Sequence, residues 1–273
     1  MPGDFASLSN QRSFRGFTLG NPGLKNEKAD SFTGGIALTP TFLPGFDATI
    51  DYIDITLKSA ISQFGTTQVV NACYDSVNYP NNIFCSLVQR DAAYQLSSVS
   101  TSYFHSATFK YRGILADIHY RHRTPLLGAA SSLDLKLSYQ YLDNLSRQVT
   151  AGSRPLIIDG STGYSRHKGV LTINYDNGPL NYQTQIQYIG SAAFDPNLAR
   201  NFYSIPNVNE VAYVNMSVNY RVTKYIDFRV NVDNILDTGV PSPLPINLGA
   251  DEQNTYFTGL LGRYIRVGVG AHF

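Results

Sequence analysis

Few residues of this chain are spaced for chemistry. Its two cysteines, Cys73 and Cys85, are its entire thiol complement. They sit in a run rich in Asn, Pro and Ser (NACYDSVNYPNNIFC), a composition that reads as loop. Two cysteines in one loop and none elsewhere point to a local disulfide made in an oxidising compartment. By loop entropy such a link contributes about 2–3 kcal/mol to ordering the loop. Two unconnected free thiols are the alternative; a metal site would want a nearby His or a third Cys. His119 and His122 are three apart, which on a strand puts them on opposite faces and not on one metal. Ser, His and Asp occur in no arrangement that marks a triad. There is no Walker loop and no dinucleotide fingerprint; Gly268-Val269-Gly270 is only part of a closing strand. The reading is therefore of a non-enzyme with no catalytic residue, no cofactor and no resident metal.

The elements that would position any site show themselves as period-2 alternation. In 226–233, Ile226, Phe228, Val230 and Val232 alternate with Asp227, Arg229, Asn231 and Asp233. At the end of the chain, Ile265, Val267, Val269, Ala271 and Phe273 alternate with Tyr264, Arg266, Gly268, Gly270 and His272. The same pattern runs through 133–141, 180–189 and 212–221, and more weakly through 31–39, 46–57, 109–120 and 168–175. Its phase inverts after Tyr52 and again around Gly113, where a β-bulge is expected. These segments make about nine strands, each with one dry and one wet face. The helical candidate is a short stretch at 56–64.

Composition narrows the class. Of 273 residues, 43% are apolar and 15% charged, and the formal net charge is +1. That balance excludes a nucleic-acid binder, which needs a basic footprint, and disorder, which needs low hydrophobicity and high charge. No stretch approaches 18 consecutive apolar residues, so no transmembrane helix is encoded. The links between strands alternate in length: 40–45, 122–131, 176–179 and 222–225 are short, whereas 58–103, 143–164, 190–210 and 237–262 are long. In an up-and-down sheet this sends every long link to one rim. An outer-membrane barrel is built that way, with its dry face toward lipid and its polar face toward a watery lumen. The apolar faces carry no charge, which at mid-membrane would cost about 2–4 kcal/mol per residue. Tyr139, Tyr141, Tyr175, Tyr188 and Tyr220 lie outward near strand ends, where interfacial belts place such rings. The fold expected is all-β: an antiparallel up-and-down transmembrane β-barrel segment.

Strand parity makes that barrel incomplete. The first strand leads into a short link and the last follows a long one, so both run the same way. Closing on each other they would pair parallel, which single-chain barrels avoid, and open edges in lipid are not tolerated. Residues 1–10 lack a basic segment and an apolar core of the signal-peptide kind. The expectation is a piece of a longer protein with partner strands upstream.

Several motifs, in order, resemble a known family. Asn21-Pro22-Gly23-Leu24-Lys25-Asn26-Glu27 resembles a segment that precedes a barrel strand in TonB-dependent outer-membrane receptors. Leu43-Pro44-Gly45-Phe46 with Ile50-Asp51-Tyr52-Ile53-Asp54-Ile55 is similar to the next hairpin and strand. Cys73 to Cys85 followed by Arg90-Asp91 resembles the family's disulfide-bearing external loop. Val232-Asp233-Asn234-Ile235-Leu236-Asp237 and Gly262-Arg263-Tyr264 resemble its penultimate and closing strands.

The resemblance runs from about Asn21 to the end and implies the C-terminal part of such a barrel: 1–29 as an external loop, 30–273 as strands and loops, the plug domain absent. It implies a place in the cell outer membrane of a Gram-negative bacterium. There the segment would serve uptake of a scarce nutrient of the siderophore, cobalamin or glycan class. Implied partners are outer-membrane lipid, the barrel-assembly machinery reading Ile265, Val267, Val269, Ala271 and Phe273, and the TonB complex only through a region outside this sequence. Candidate ligand-facing aromatics in the long loops are Tyr74, Tyr79, Phe84, Tyr203, Tyr256 and Phe257. The plain alternative for each is that it packs its own loop. A soluble secreted β-sandwich binding module is the competing fold.

Overall fold

Period-2 alternation becomes strands wherever it runs long enough. A computed structural model describes residues 15–105, 108–123, 131–148, 154–199, 201–202, 204, 206–241 and 250–271. Nine strands form one sheet: β1 (Lys28–Leu38), β2 (Phe46–Lys58), β3 (Thr108–Arg123), β4 (Ser132–Gln148), β5 (His167–Asn177), β6 (Leu180–Ile189), β7 (Val211–Arg221), β8 (Ile226–Asp233) and β9 (Tyr264–Ala271). Each pairs with its neighbours in chain order from β1 to β9, and a two-residue strand, Leu156–Ile157, adds to β4. The sheet is antiparallel and not closed. Short turns therefore gather on one rim and the long excursions on the other. At the turn into β2, Gly45 has φ +85° and its carbonyl accepts the Arg121 amide at 2.8 Å. A side chain at Gly45 would overlap the Arg121 carbonyl, so only glycine fits. Gly113, read as a bulge, lies where the Tyr141 carbonyl of β4 approaches; a Cβ would sit 2.6 Å from it.

Register turns the alternation of single strands into rows. Leu135, Ile173, Thr184, Met216, Val232 and Ile265 face one another in sequence from β4 to β9. A second row joins Leu133, Tyr175, Tyr182, Val218, Val230 and Val267. This face is bare on the two edge strands, where Val267 is 72%, Ile265 58% and Ile36 on β1 63% exposed; inside the sheet its residues are mostly half-buried, and Val232 and Thr184 are buried. Neither buried cluster of the described residues draws on these rows. The other face is a polar lattice. The Gln183 amide donates to Asn174 Oδ1 at 2.9 Å, Ser217 donates to Asn231 at 2.7 Å, and Arg266 pairs with Asp233 at 2.9 Å.

The chain divides into two compact units, and the sheet belongs to the larger, residues 30–56, 109–147 and 154–273. The smaller unit is 1–29, 57–108 and 148–153. Its central strand, Leu96–His105, pairs in parallel with Arg15–Leu19 and antiparallel with Ile61–Gln63 and Val88–Arg90. The segment expected as an external loop thus contains a strand.

Helix α1 (Thr66–Tyr74) lies in the stretch read as loop, while the helix expected at 56–64 is absent: 56–58 completes β2 and Ile61–Gln63 is extended. The four-residue spacing of Val69 and Cys73 gives α1 one buried face, and Gln68 caps its start by accepting the Gly65 amide at 3.0 Å. That face joins Phe64, Phe84 and Val99 in a sealed core, with the Phe64, Phe84 and Phe104 ring centroids 5.2–5.4 Å apart. Cys73 and Cys85 are disulfide-bonded, with Cα atoms 4.7 Å apart.

Candidate functional site

The long excursions carry the loop aromatics, and the structure divides them by burial. Tyr74 ends α1, where its hydroxyl accepts two hydrogen bonds from Arg90, from Nε at 2.9 Å and Nη2 at 2.7 Å. The same guanidinium sits 5.2 Å from the Tyr74 ring centroid, and its Nη1 donates to the Tyr94 carbonyl at 2.5 Å. Tyr79 packs its ring 5.3 Å from that of Tyr74 and stays half exposed. Asp91 accepts the Ala93 and Gln95 amides at 2.9 Å each and holds the turn that presents Tyr94. This cation–aromatic cluster of Tyr74, Tyr79, Arg90 and Tyr94 leaves Tyr79 and Tyr94 open to solvent. Sequence reasoning missed Arg90 and Tyr94 as members. The available signal was a cation five residues beyond Cys85, since a disulfide brings the two ends of its loop together.

Two of the aromatics singled out above are buried and pack against the protein's own residues. Phe84 is 8% exposed, because the Asn82 side chain accepts the Phe84 and Cys85 amides and turns the ring into the core of the smaller unit. Tyr256 is fully buried between α2 (Ala250–Thr255) and α3 (Phe257–Leu261), in a cluster with Ile189, Val211 and Tyr213. Those three share the polar face of the sheet at its long-excursion rim, where β6 ends and β7 begins. A dry patch there is best covered, and the last excursion covers it. Phe257, next in the chain, is exposed. Tyr203 lies outside the described residues.

The polar face carries a charged network at its short-turn rim. His119 on β3 joins Asp47 of β2 through Nδ1 at 2.9 Å and Asp134 of β4 through Nε2 at 3.0 Å. One imidazole thus clips three adjacent strands. His122 stacks on Tyr120, with ring centroids 6.0 Å apart, so the two histidines part company as their spacing requires.

The two motifs at the end of the chain have visible local roles. Asn234 adopts φ +51°, a backbone that Asn tolerates better than most side chains, and is fully buried. Its side chain donates to the Thr238 carbonyl at 2.8 Å and accepts the Thr238 amide at 2.9 Å, ending β8 and turning the chain away. In β9, Ile265, Val267, Val269 and Ala271 pair with Val232, Val230, Phe228 and Ile226. Phe273 lies outside the described residues.

Comparison with known proteins adds to this geometry. The family described as "TonB dependent receptor-like, beta-barrel" matches residues 2–235. No curated protein sequence matches the chain. Among solved structures, the FrpB iron transporter of Neisseria meningitidis (F5-1 variant) superposes with a TM-score of 0.58 at 14% identity, over 95% of this chain and 34% of that one. A ferric enterobactin receptor mutant of Pseudomonas aeruginosa, solved with enterobactin, gives 0.56 at 14% identity, over 94% and 33%. The siderophore receptor PirA of Acinetobacter baumannii gives 0.55 at 14%, over 94% and 33%. The chain therefore spans about a third of the length of these proteins. With its antiparallel sheet, its rows and its matched residues taken together, the chain belongs to the TonB-dependent receptor β-barrel family.

Proposed function

We propose that these residues form a barrel segment of a Gram-negative outer-membrane receptor that takes up a scarce nutrient of the siderophore, cobalamin or glycan class. Family members are transport receptors of that membrane that work with TonB. The observation that carries the reading is the contrast between the faces of one sheet: apolar rows on one, outside both buried clusters of the described residues, polar groups hydrogen-bonded to one another on the other, and every long excursion on one rim. Valine and isoleucine rows fit hydrocarbon. A soluble β-sandwich would bury such rows in a core against a second sheet, and neither buried cluster of the described residues draws on them.

In this reading residues 1–29 lie outside the membrane and 30–273 supply strands and loops. β1 and β9 run in the same direction, so antiparallel closure takes an odd number of further strands. TonB is engaged outside these 273 residues, where the plug also belongs. Membrane lipid covers the rows, and the assembly machinery reads Ile265, Val267, Val269, Ala271 and Phe273. Tyr79 and Phe257 are the ligand-facing candidates that stand open in the loops, with Tyr74 half-buried behind Tyr79.

The test is membrane insertion followed by uptake. The whole natural polypeptide should fractionate with outer membranes, need detergent for release and run faster on gels before boiling than after. Ferric siderophores are the first ligands to try, the cargo named for structures of like fold. Release without detergent and a mobility unchanged by heat would remove the barrel reading.

A further inference from the structure

The segment Asn21-Pro22-Gly23-Leu24-Lys25-Asn26-Glu27, which leads into β1, is a strap tied down within the smaller unit. The Asn21 side-chain amide donates to the Tyr103 carbonyl at 2.8 Å, and its oxygen accepts the Gly23 amide at 2.9 Å. At the other end the Glu27 carboxylate accepts the Ile61 amide at 2.6 Å. Between these ties the Lys25 amide donates to His105 Nε2 at 2.7 Å. The second ring nitrogen, Nδ1, lies 3.0 Å from the Ser59 carbonyl. One imidazole at the end of the strand Leu96–His105 therefore joins its own strand to two other passages of the chain.

Both contacts have a fixed polarity. A backbone N–H only donates and a backbone carbonyl only accepts, so Nε2 carries a lone pair and Nδ1 carries the proton. The neutral Nδ1–H imidazole is the one form that satisfies both neighbours. A second proton puts an N–H on Nε2, donor against donor at the Lys25 amide, and leaves the bond from Nδ1 to Ser59 intact. The charged ring thus loses the strap alone. Ser59 stands at φ +55°, a left-handed backbone uncommon for serine, and its carbonyl suits the ring in either state. The charged side chains on the segments against the ring are Lys25 and Glu27 of the strap and Lys58 before Ser59. Glu27 is the acceptor among them, and its carboxylate holds the Ile61 amide. Tyr103 shares the ring's face of the strand, two residues back. Arg15 and Arg90, on the flanking strands, stand at the far end, opposite Ser98 and Leu96. Helix α1 contains no charged residue, and its Tyr74 is held by Arg90.

We infer that His105 is an acid-operated latch: neutral, it holds the strap to the smaller unit; protonated, it drops the Lys25 amide and frees the strap between its ties at Asn21 and Glu27. Histidine is the side chain whose charge changes in mildly acid water. The sign follows from the geometry: the strap is held at higher pH and released as pH falls. On the barrel reading this unit stands outside the membrane, so the latch answers to the pH of the surroundings; the latch itself does not depend on that reading.

The experiment follows hydrogen exchange of the whole natural polypeptide in detergent at about pH 8 and about pH 5.5, with the intrinsic pH dependence of exchange divided out. Protection of the Lys25 amide should fall about tenfold or more in acid, while that of the Asp75 amide, bonded to the Asn71 carbonyl at the end of α1, holds. His105→Gln, with an acceptor that does not titrate, and His105→Phe, with none, should each abolish the pH dependence, whether the strap is then held or loose at both values. Glu27→Gln, which removes the strap's own titrating carboxylate, should keep it. Protection at Lys25 that ignores pH in the wild type, or falls together with that of α1, overturns the latch. So does a pH dependence that survives in either His105 variant or vanishes in Glu27→Gln. Should the His105 variants not fold, the wild-type comparison of Lys25 with Asp75 decides. A gel mobility that ignores heat removes the barrel reading and leaves the latch to these measurements.

Discussion

Two regions of this molecule hide apolar side chains in opposite ways. In the smaller unit, Phe64, Val69, Phe84 and Val99 turn inward, and a helix, a short sheet and a disulfide close over them. In the nine-stranded sheet, Val267 and Ile265 stand exposed on the edge strand β9, and neither they nor their partners Val230 and Val232 belong to either buried cluster of the described residues. Burial in water-free surroundings stabilises apolar side chains in either case; on the proposed reading only the covering medium differs, protein in one region and lipid in the other. An excursion in water must carry its own core, and a strand in hydrocarbon must not.

The contrast is open to direct attack, beginning with the largest effect. Phe84→Ala should cost the smaller unit about 3–5 kcal/mol by emptying its ring cluster. Hydrogen exchange should rise across α1 and Leu96–His105, while the heat-dependent mobility of the barrel is retained. A lost barrel would mean that the two regions do not fold on separate terms. Next, Val230→Arg should destabilise the membrane-inserted protein by about 2–4 kcal/mol, measured by urea titration in bilayers. Asn231→Arg, one residue along on the polar face, should cost only the Ser217 hydrogen bond, about 1 kcal/mol, and equal costs for the two would erase the distinction between faces. Reducing the Cys73–Cys85 bond should cost about 3 kcal/mol, confined to protease resistance of 66–90. The smallest change is Asn174→Ala, which strands the Gln183 amide at a cost of about 1 kcal/mol in the same titration.

How much was legible depended on the range of the interaction. The nine strands could be read because a two-residue period is local, and dry and wet faces leave it in the sequence. Segregation of long links also follows from local counting, once the strands are known to run up and down. Helix α1 was missed because its apolar signal is two residues, Val69 and Cys73, inside a run of loop formers. For Phe84 and Tyr256 ligand-facing and packed readings both stood open, because a loop aromatic looks the same in sequence whether it packs or projects; both are buried. Asn82 decides the first, and a patch made by Ile189, Val211 and Tyr213 decides the second. The parallel pairing of Arg15–Leu19 with Leu96–His105 joins residues about eighty apart, beyond any periodic cue.

By itself, then, the sequence determined the nine strands of the large sheet, their two faces and the rim that bears the excursions, since each follows from the choice between apolar and polar at neighbouring positions. Only the tertiary structure decided which loop rings are sealed, which cation joins Tyr74, and which amide His105 receives. Those outcomes rest on contacts between residues far apart in the chain, whose geometry exists only after the backbone has come together.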